Sequence, residues 1–415
     1  MSQRRDELET HLDALDLGGD TTFGRLDRVR RGAASVVSFA FSPAWLGRRQ
    51  RLVLDPSLGL FEGDQYIEGG SIPALFNDAA PDRWGRTLMQ RREAASARRE
   101  GRKPRTLDDW DFLVGVNDAM RMGAVRLRDA RSEAFVSDEK VSVPPIARLR
   151  QLQSYAQRVE RGERLDRGEE DEEIALLVAP GSSLGGTRPK ANVRAEDGSL
   201  WIAKFPAAND SWDVGGWEAL LVDLAAEAGI SVPDVAAMKV GGQYQTFLAR
   251  RFDRTAAARH AYASAMTLTG KHDREPSSYL DVAEAITRFG SPESIESDLE
   301  QLFRRLVFNV TVGNRDDHLR NHGFLGFANG WRLSPVFDVN PAPGMVEHVL
   351  RIDGDNPEPN IDLARGTARY YRLAERTANL IIEQVRHAVA DWQHRAQVRG
   401  LTRDDIDRMS AVIAL

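Results

Sequence analysis

The chain contains no cysteine. That excludes disulfides, a thiolate zinc site and a cysteine nucleophile. It also has no apolar run approaching the roughly 20 residues that a membrane-spanning helix needs. The first residues, Met1 to Glu7, are polar with no apolar segment behind them, so the sequence predicts no signal peptide and a cytoplasmic location. Positive charge is not in excess: 56 Lys and Arg stand against 62 Asp and Glu, a net charge of −6. This argues against a chain that grips bare nucleic acid by itself, while leaving room for local basic patches or a DNA-binding partner. No repeat and no low-complexity tract is visible. What remains is ordinary globular sequence, 42% hydrophobic and 28% charged over 415 residues. That length suits two or three domains or lobes and a sizeable core.

The most informative stretch is residues 313–338. It reads Gly-Asn-Arg-Asp-Asp-His-Leu-Arg-Asn, then two short apolar runs, then Ser-Pro-Val-Phe-Asp. Asp316 and Asn321 are separated by four residues, and Asp338 follows the second run. Taken alone, Asp316, Asp317 and His318 also fit a solvated polar turn. The surroundings favour a site. An amphipathic helix with Leu299, Leu302, Phe303, Leu306 and Val310 on one face precedes the motif. A hairpin then delivers the second carboxylate. Protein kinases use this order of parts: an Asp that takes the substrate hydroxyl proton, an Asn four residues on that holds metal, and a later Asp that holds metal on the phosphates. Mg²⁺ takes hard oxygen ligands, usually one or two carboxylates plus water and phosphate, which such an Asn–Asp pair supplies. His318, between the two, is expected to brace the loop by bonding nearby backbone. His260, His322, His348 and His387 are expected to be core or surface filler.

A second constellation lies upstream. Residues 181–190 form a glycine- and serine-rich loop that is neither a Walker A nor a Gly-x-Gly-x-x-Gly pattern. On its own it fits a plain surface loop. Residues 191–206 then read as a hairpin with Lys204 inside an apolar strand. A lysine there costs desolvation unless an anion meets it, or else its stem packs while its amine reaches water. Glu218, on a helix predicted over 217–228, can meet it. A strand Lys paired with a helix Glu holds nucleotide phosphates in kinases. Backbone N–H groups around Gly185 and Gly186 would cradle those phosphates. Two strands follow, 235–240 and 245–253, and Phe247 to Ala249 is the candidate segment against the adenine.

The first region reads as strand-rich, with a strand at 35–41, continuing strand pattern at 44–46 and 52–54, and an Arg-rich helix to residue 99. Arg83, Arg86, Arg91 and Arg92 fit a solvated helix face or a basic face for a partner. The division expected is 1–140, 141–255 and 256–415.

At this point the residues resemble the HipA-like serine/threonine kinases, the toxin halves of bacterial HipBA toxin–antitoxin modules. Three stretches carry the resemblance: residues 183–190 with Ala203-Lys204-Phe205-Pro206, residues 314–321, and residues 333–339. Arg251-Phe252-Asp253-Arg254 is a weaker fourth. The resemblance implies an α+β, two-lobed protein-kinase-like fold with an extra strand-rich N-terminal subdomain and an all-helical C-terminal lobe. It implies ATP and Mg²⁺ as cofactors, Lys204 on the phosphates, Asp316 as catalytic base, and Asn321 and Asp338 on the metal. Ser183, with Ser182 as its neighbour, falls at the family's autophosphorylation position. Partners implied are a small helix-turn-helix antitoxin of the HipB type and a protein substrate such as an aminoacyl-tRNA synthetase. DNA is reached only through the antitoxin, and no membrane is involved. Arg188, before Pro189, stands where the family commonly has Gln, and Asp317 where it commonly has Gly. Two other readings stay open: a non-catalytic nucleotide-binding corepressor that docks on a DNA-bound antitoxin, and a small-molecule phosphotransferase of the aminoglycoside-kinase type.

Overall fold

The computed structural model describes residues 4–31, 34–49, 51–67, 71–132, 134–137, 143–163, 177, 188–255 and 258–413. The chain divides into two compact units. One comprises Met1–Ala203, Asp253–Ala263 and Gly326–Ala328, and the other comprises Lys204–Phe252, Ser264–Leu325 and Asn329–Leu415. Among the described residues, no helix is long and apolar enough to cross a membrane.

The first unit is built on a five-stranded antiparallel sheet. Its strands are β1 (Arg4–Ala14), β2 (Gly19–Arg31), β3 (Ala34–Phe41), β4 (Gln65–Tyr66) and β5 (Val125–Asp129), in the order β4-β3-β2-β1-β5. Strand alternation explains β1: Leu8, Thr10 and Leu12 are buried while Arg5 is exposed. Charges cross-link the other face, as where Arg128 Nε donates to Glu9 at 2.8 Å. Phe23, Phe39, Phe76 and Trp45 cluster on the buried face, with centroids 5.7 Å apart for Phe39–Phe76 and 6.1 Å for Phe23–Trp45. Residue 24 must be glycine, because a Cβ there would lie 2.5 Å from the Phe39 ring.

Residues 44–46, expected to continue a strand, form the short helix Pro43–Leu46 instead. Ser42 accepts a bond from the Trp45 N–H at 3.1 Å and Pro43 opens the turn, so capping outweighs the β preference of Trp. The Arg-rich helix is α1 (Arg83–Arg99), capped by Asp82 through the Gly85 N–H at 2.8 Å. Arg86 leaves the solvated face to bond Asp109 at 2.7 Å over the Phe112 ring. The hairpin of β6 (Lys190–Arg194) and β7 (Leu200–Lys204) is where the sequence predicts it. Lys190, the last residue of the glycine-rich motif, forms a buried ion pair with Asp82 at 2.7 Å.

The second unit begins at Lys204, the end of β7. It contains α2 (Val214–Glu227), the antiparallel pair β8 (Val235–Met238) and β9 (Thr246–Arg250), α3 (Tyr279–Phe289), α4 (Ile295–Val312), the first three residues of β10 (Gly323–Phe327), β11 (Gly330–Leu333) and α5 (Glu375–Val389). The expected apolar face of α4 is fully buried and packs against α3 and α5. The helix α5 stops at Val389, and Trp392 opens a new helix and packs against Trp217. Two anchors seat the β10–β11 pair on α4. Arg305 donates to the Ser334 carbonyl, and the Leu333 N–H bonds Asp298 at 3.0 Å.

Candidate active site

The loop carrying Asp316 is positioned by the end of α4. Gly313 terminates the helix with φ 68°, a left-handed conformation that side chains resist. A Cβ at Gly313 would also lie 2.7 Å from the Val412 carbonyl oxygen. The next carboxylate after Asp316, Asp317, is buried and acts as the hub of the loop. Its Oδ2 accepts from the Tyr279 hydroxyl at 2.5 Å and the Asn309 amide at 3.0 Å, and lies 2.8 Å from His322 Nε2. Burial alone would raise the Asp317 pKa. The His322 ring and the bonds donated by His322 and Tyr279 outweigh that and bring it below the ordinary value.

The backbone is pinned on both sides of Asp316. The Val349 N–H bonds the Arg315 carbonyl at 2.9 Å, and the Leu350 N–H bonds the Asp317 carbonyl at 3.1 Å. Asp316 itself is exposed. Its pKa is raised, first by partial desolvation, then by the negative charges of Asp338 and Asp317, against the opposing pull of His318. A turn at Leu319–Asn321 closes the loop, with the Asn321 N–H on the His318 carbonyl at 2.8 Å. Asn321 is buried, and its Oδ1 has no hydrogen-bond partner.

Lys204 and Asp338 meet, 134 residues apart. Lys204 Nζ donates to Glu218 Oε1 at 2.5 Å and to Asp338 Oδ1 at 2.8 Å. Burial opposes the ammonium charge, but the two carboxylates more than compensate and hold Lys204 protonated. Burial raises the Glu218 pKa, and Lys204 only partly offsets it. Asp338 has φ 59°, unusual for a non-glycine residue and typical of strain kept at functional positions. One ammonium thus serves two carboxylates. Asp213 caps α2, which carries Glu218, by accepting from the Gly216 N–H at 3.0 Å. The same Asp213 oxygen accepts from the Gln245 N–H at 2.9 Å and so ties the helix to the strand pair behind it.

The structure therefore brings Lys204, Glu218 and Asp338 into one cluster, with Asp316 within electrostatic reach of Asp338. The Phe247 ring lies beside the same cluster, with Lys204 Nζ 5.5 Å from its centroid, and packs with Ala219 and Val222 of α2; Ala249 packs partly buried against that group. Ser182, Ser183, Gly185 and Gly186 lie outside the described residues.

Two expectations for histidine are corrected. His318 Nδ1 is buried without a hydrogen bond, so its ring is not the brace expected. The brace is His322, expected to be filler. Asn309 and Tyr279 belong to the same network. The available sequence signal was an Asn amid the apolar face of α4 and a Tyr at the capped start of α3, both polar groups that need partners once buried.

For Mg²⁺, the donors present fit. An orphaned buried amide oxygen on Asn321 and a carboxylate on Asp338 are hard ligands, with phosphate and water expected to complete the shell. Among the described residues there is no cluster of three or more His, Cys, Asp or Glu able to hold a metal. That is compatible with a cation held mainly by its nucleotide.

The family model described as the HipA-like C-terminal domain matches residues 182–392, just over half of the chain. The protein belongs to the HipA-like family. No curated protein matches the sequence. Among solved structures, the chain is similar to HipA of Shewanella oneidensis MR-1, solved in complex with HipB and operator DNA. Identity is 16%, the match covers 97% of this chain and 94% of that one, and the TM-score is 0.65. The Helicobacter pylori proinflammatory kinase CtkA matches at 14% identity over 51% of this chain and 95% of its own, with a TM-score of 0.33, too low to bear on the fold. The HipA-like fold is the one the sequence implies: α+β and protein-kinase-like, strand-rich at the N-terminus and helical towards the C-terminus. The helical part is not all helix, since it includes the β10–β11 pair.

Proposed function

We propose that this HipA-like protein is an ATP- and Mg²⁺-dependent serine/threonine protein kinase acting as the toxin of a toxin–antitoxin module. One observation carries the reading: Lys204 lies between Glu218 at 2.5 Å and Asp338 at 2.8 Å, with Asp316 near enough to feel the Asp338 charge. Bound Mg²⁺ would neutralise charge on the phosphates, held by Asn321 and Asp338. Lys204 would turn from Asp338 to the α- and β-phosphates while Glu218 keeps it in place. Asp316 would accept the proton of the attacking hydroxyl. Its raised pKa makes it a better base than an ordinary aspartate. Phe247 to Ala249 of β9 would lie against the adenine, the Phe247 ring standing beside Lys204. The working division is residues 1–140, 141–255 carrying the phosphate loop, and 256–415 carrying the catalytic loop.

The phosphate loop would hold Gly185 and Gly186 against the nucleotide, and Ser183 or Ser182 would be its autophosphorylation site. A phosphoryl group there adds about −1.5 to −2 charge and repels ATP. The Shewanella HipA is solved with HipB and operator DNA. A helix-turn-helix antitoxin is accordingly the proposed partner, and an aminoacyl-tRNA synthetase the proposed substrate, in the cytoplasm. The test is intact mass after incubation with ATP and Mg²⁺. Gain of one phosphoryl group on Ser183 or Ser182, absent in Asp316→Asn, supports transfer. An unchanged mass in the wild type, together with no phosphorylated protein in a lysate, contradicts it.

A further inference from the structure

Two large apolar residues stand in solvent beside the loop that carries Asp316. Val346 is 80% exposed, more than any other large apolar residue among the described residues, and Val349 is 46% exposed. Single exposed valines are ordinary, so their position decides what they mean. Arg315, the residue before Asp316, is bonded to this segment twice. Its carbonyl accepts from the Val349 N–H at 2.9 Å, and its guanidinium donates to the Met345 carbonyl. The Asp317 carbonyl accepts from the Leu350 N–H at 3.1 Å. Residues 345–350 thus lie along residues 315–317. Leu350 and Asp317 are buried, whereas Val349 and Asp316 are exposed. The aspartate and the valine are therefore left on the outward side of the same two bonded segments.

The segment is held in place before anything binds. The Ala342 N–H bonds the Gly313 carbonyl at 2.9 Å, and the Met345 N–H bonds the Ala342 carbonyl at 3.0 Å. Pro341 and Pro343, on either side of Ala342, restrict the backbone further. A surface already fixed loses little entropy when a chain settles on it. Glu347 lies between the two valines in sequence and is exposed. Together with Asp316 it makes this rim unfavourable for acidic side chains. Neighbouring bonded backbones stand about 4.8 Å apart, and an extended chain advances about 3.3 Å per residue. With an acceptor hydroxyl at Asp316, a residue one or two places away along an extended chain falls on the valines.

We infer that residues 345–349 are the docking rim for the protein acceptor, and that Val346 and Val349 select an extended segment with an apolar residue one or two places from the phosphorylated Ser or Thr. This rests on the kinase reading, in which the acceptor hydroxyl gives its proton to Asp316 and takes the γ-phosphoryl group as ADP leaves. The test uses the full chain with ATP, Mg²⁺ and a library of Ser- and Thr-centred peptides varied at the flanking positions. The wild type should favour Leu, Ile or Val over Glu at one flanking position by about tenfold or more in kcat/KM. Val346→Lys and Val349→Lys should lower or reverse that ratio. The ratio is taken within one variant, so the fraction of folded protein cancels. A ratio equal to the wild type in both variants overturns the proposal, as does a wild type with no flanking preference. Peptides left unmodified by a chain that phosphorylates itself overturn it too, because the acceptor is then not an extended segment. A chain that phosphorylates neither itself nor any peptide overturns the kinase reading as well, and so is told apart from failure of this proposal alone. Sedimentation of the wild type and both variants examines the other occupant: a dimer that Val346→Lys dissociates, with peptide preference unmoved, assigns the valines to self-association and overturns the proposal.

Discussion

Two adjacent aspartates divide the work of the central loop. Asp316 is exposed and has its pKa raised; Asp317 is buried and has its pKa lowered. Asp316→Asn should reduce phosphoryl transfer by about 10²- to 10⁴-fold with nucleotide binding retained, read by single-turnover transfer beside calorimetric titration. A base with a raised pKa is lost to protonation earlier as pH falls. The acid limb of the rate profile should therefore lie above the roughly 3.9 of an ordinary Asp. Asp317→Ala should act differently. It strips the acceptor from Tyr279, Asn309 and His322 at once, and should cost about 3–5 kcal/mol in chemical denaturation. The sign of its pH dependence follows from the lowered folded-state pKa. Its stabilisation is fully present above the unfolded value of about 3.9 and is lost as pH falls through the folded one. A denaturation midpoint unchanged in Asp317→Ala would remove the brace from this account. The spacing of Asp316, Asn321 and Asp338 was legible in the sequence because a four-residue gap is a property of the chain itself. The Asp317 brace was not, because Tyr279, Asn309 and His322 reach it from three separate segments.

Among the elements, α4 and its terminator matter most. The repeat of Leu299, Leu302, Leu306 and Val310 predicts the helix, and it forms with those residues buried. Its stop at Gly313 combines a left-handed turn with close approach to Val412. Gly313→Ala should cost about 1–3 kcal/mol and displace the loop. A melting temperature and transfer rate both equal to the wild type would show that the loop does not depend on this terminator. The strands show where pattern reading stops. β3 is apolar and aromatic and was legible as a strand. β1 and β2 are as regular, but their outward positions are charged and the alternation is diluted. Residues 44–46 look like strand by composition and are helix because of Ser42 and Pro43, two residues outside the apolar run.

At the scale of the whole molecule, the proposed toxin role predicts behaviour that no single residue shows. The net charge of −6 gives little attraction for DNA. The isolated chain should leave operator DNA unshifted in a gel assay and shift it only when a helix-turn-helix antitoxin is added; a shift by the chain alone would refute indirect recognition. Expression of the wild type should arrest growth, and Asp316→Asn should relieve it. Equal arrest by both would favour a corepressor or binding role over catalysis.

The claim on which all of this depends is that Lys204, Asp316, Asn321 and Asp338 surround a single magnesium-bound nucleotide. The most direct test is a crystal structure with a non-hydrolysable ATP analogue and Mg²⁺. The account predicts a metal bonded to Asn321 Oδ1 and the Asp338 carboxylate, with Lys204 on the phosphates and Asp316 facing the terminal one. Nucleotide bound elsewhere, or a metal that touches neither Asn321 nor Asp338, would contradict it.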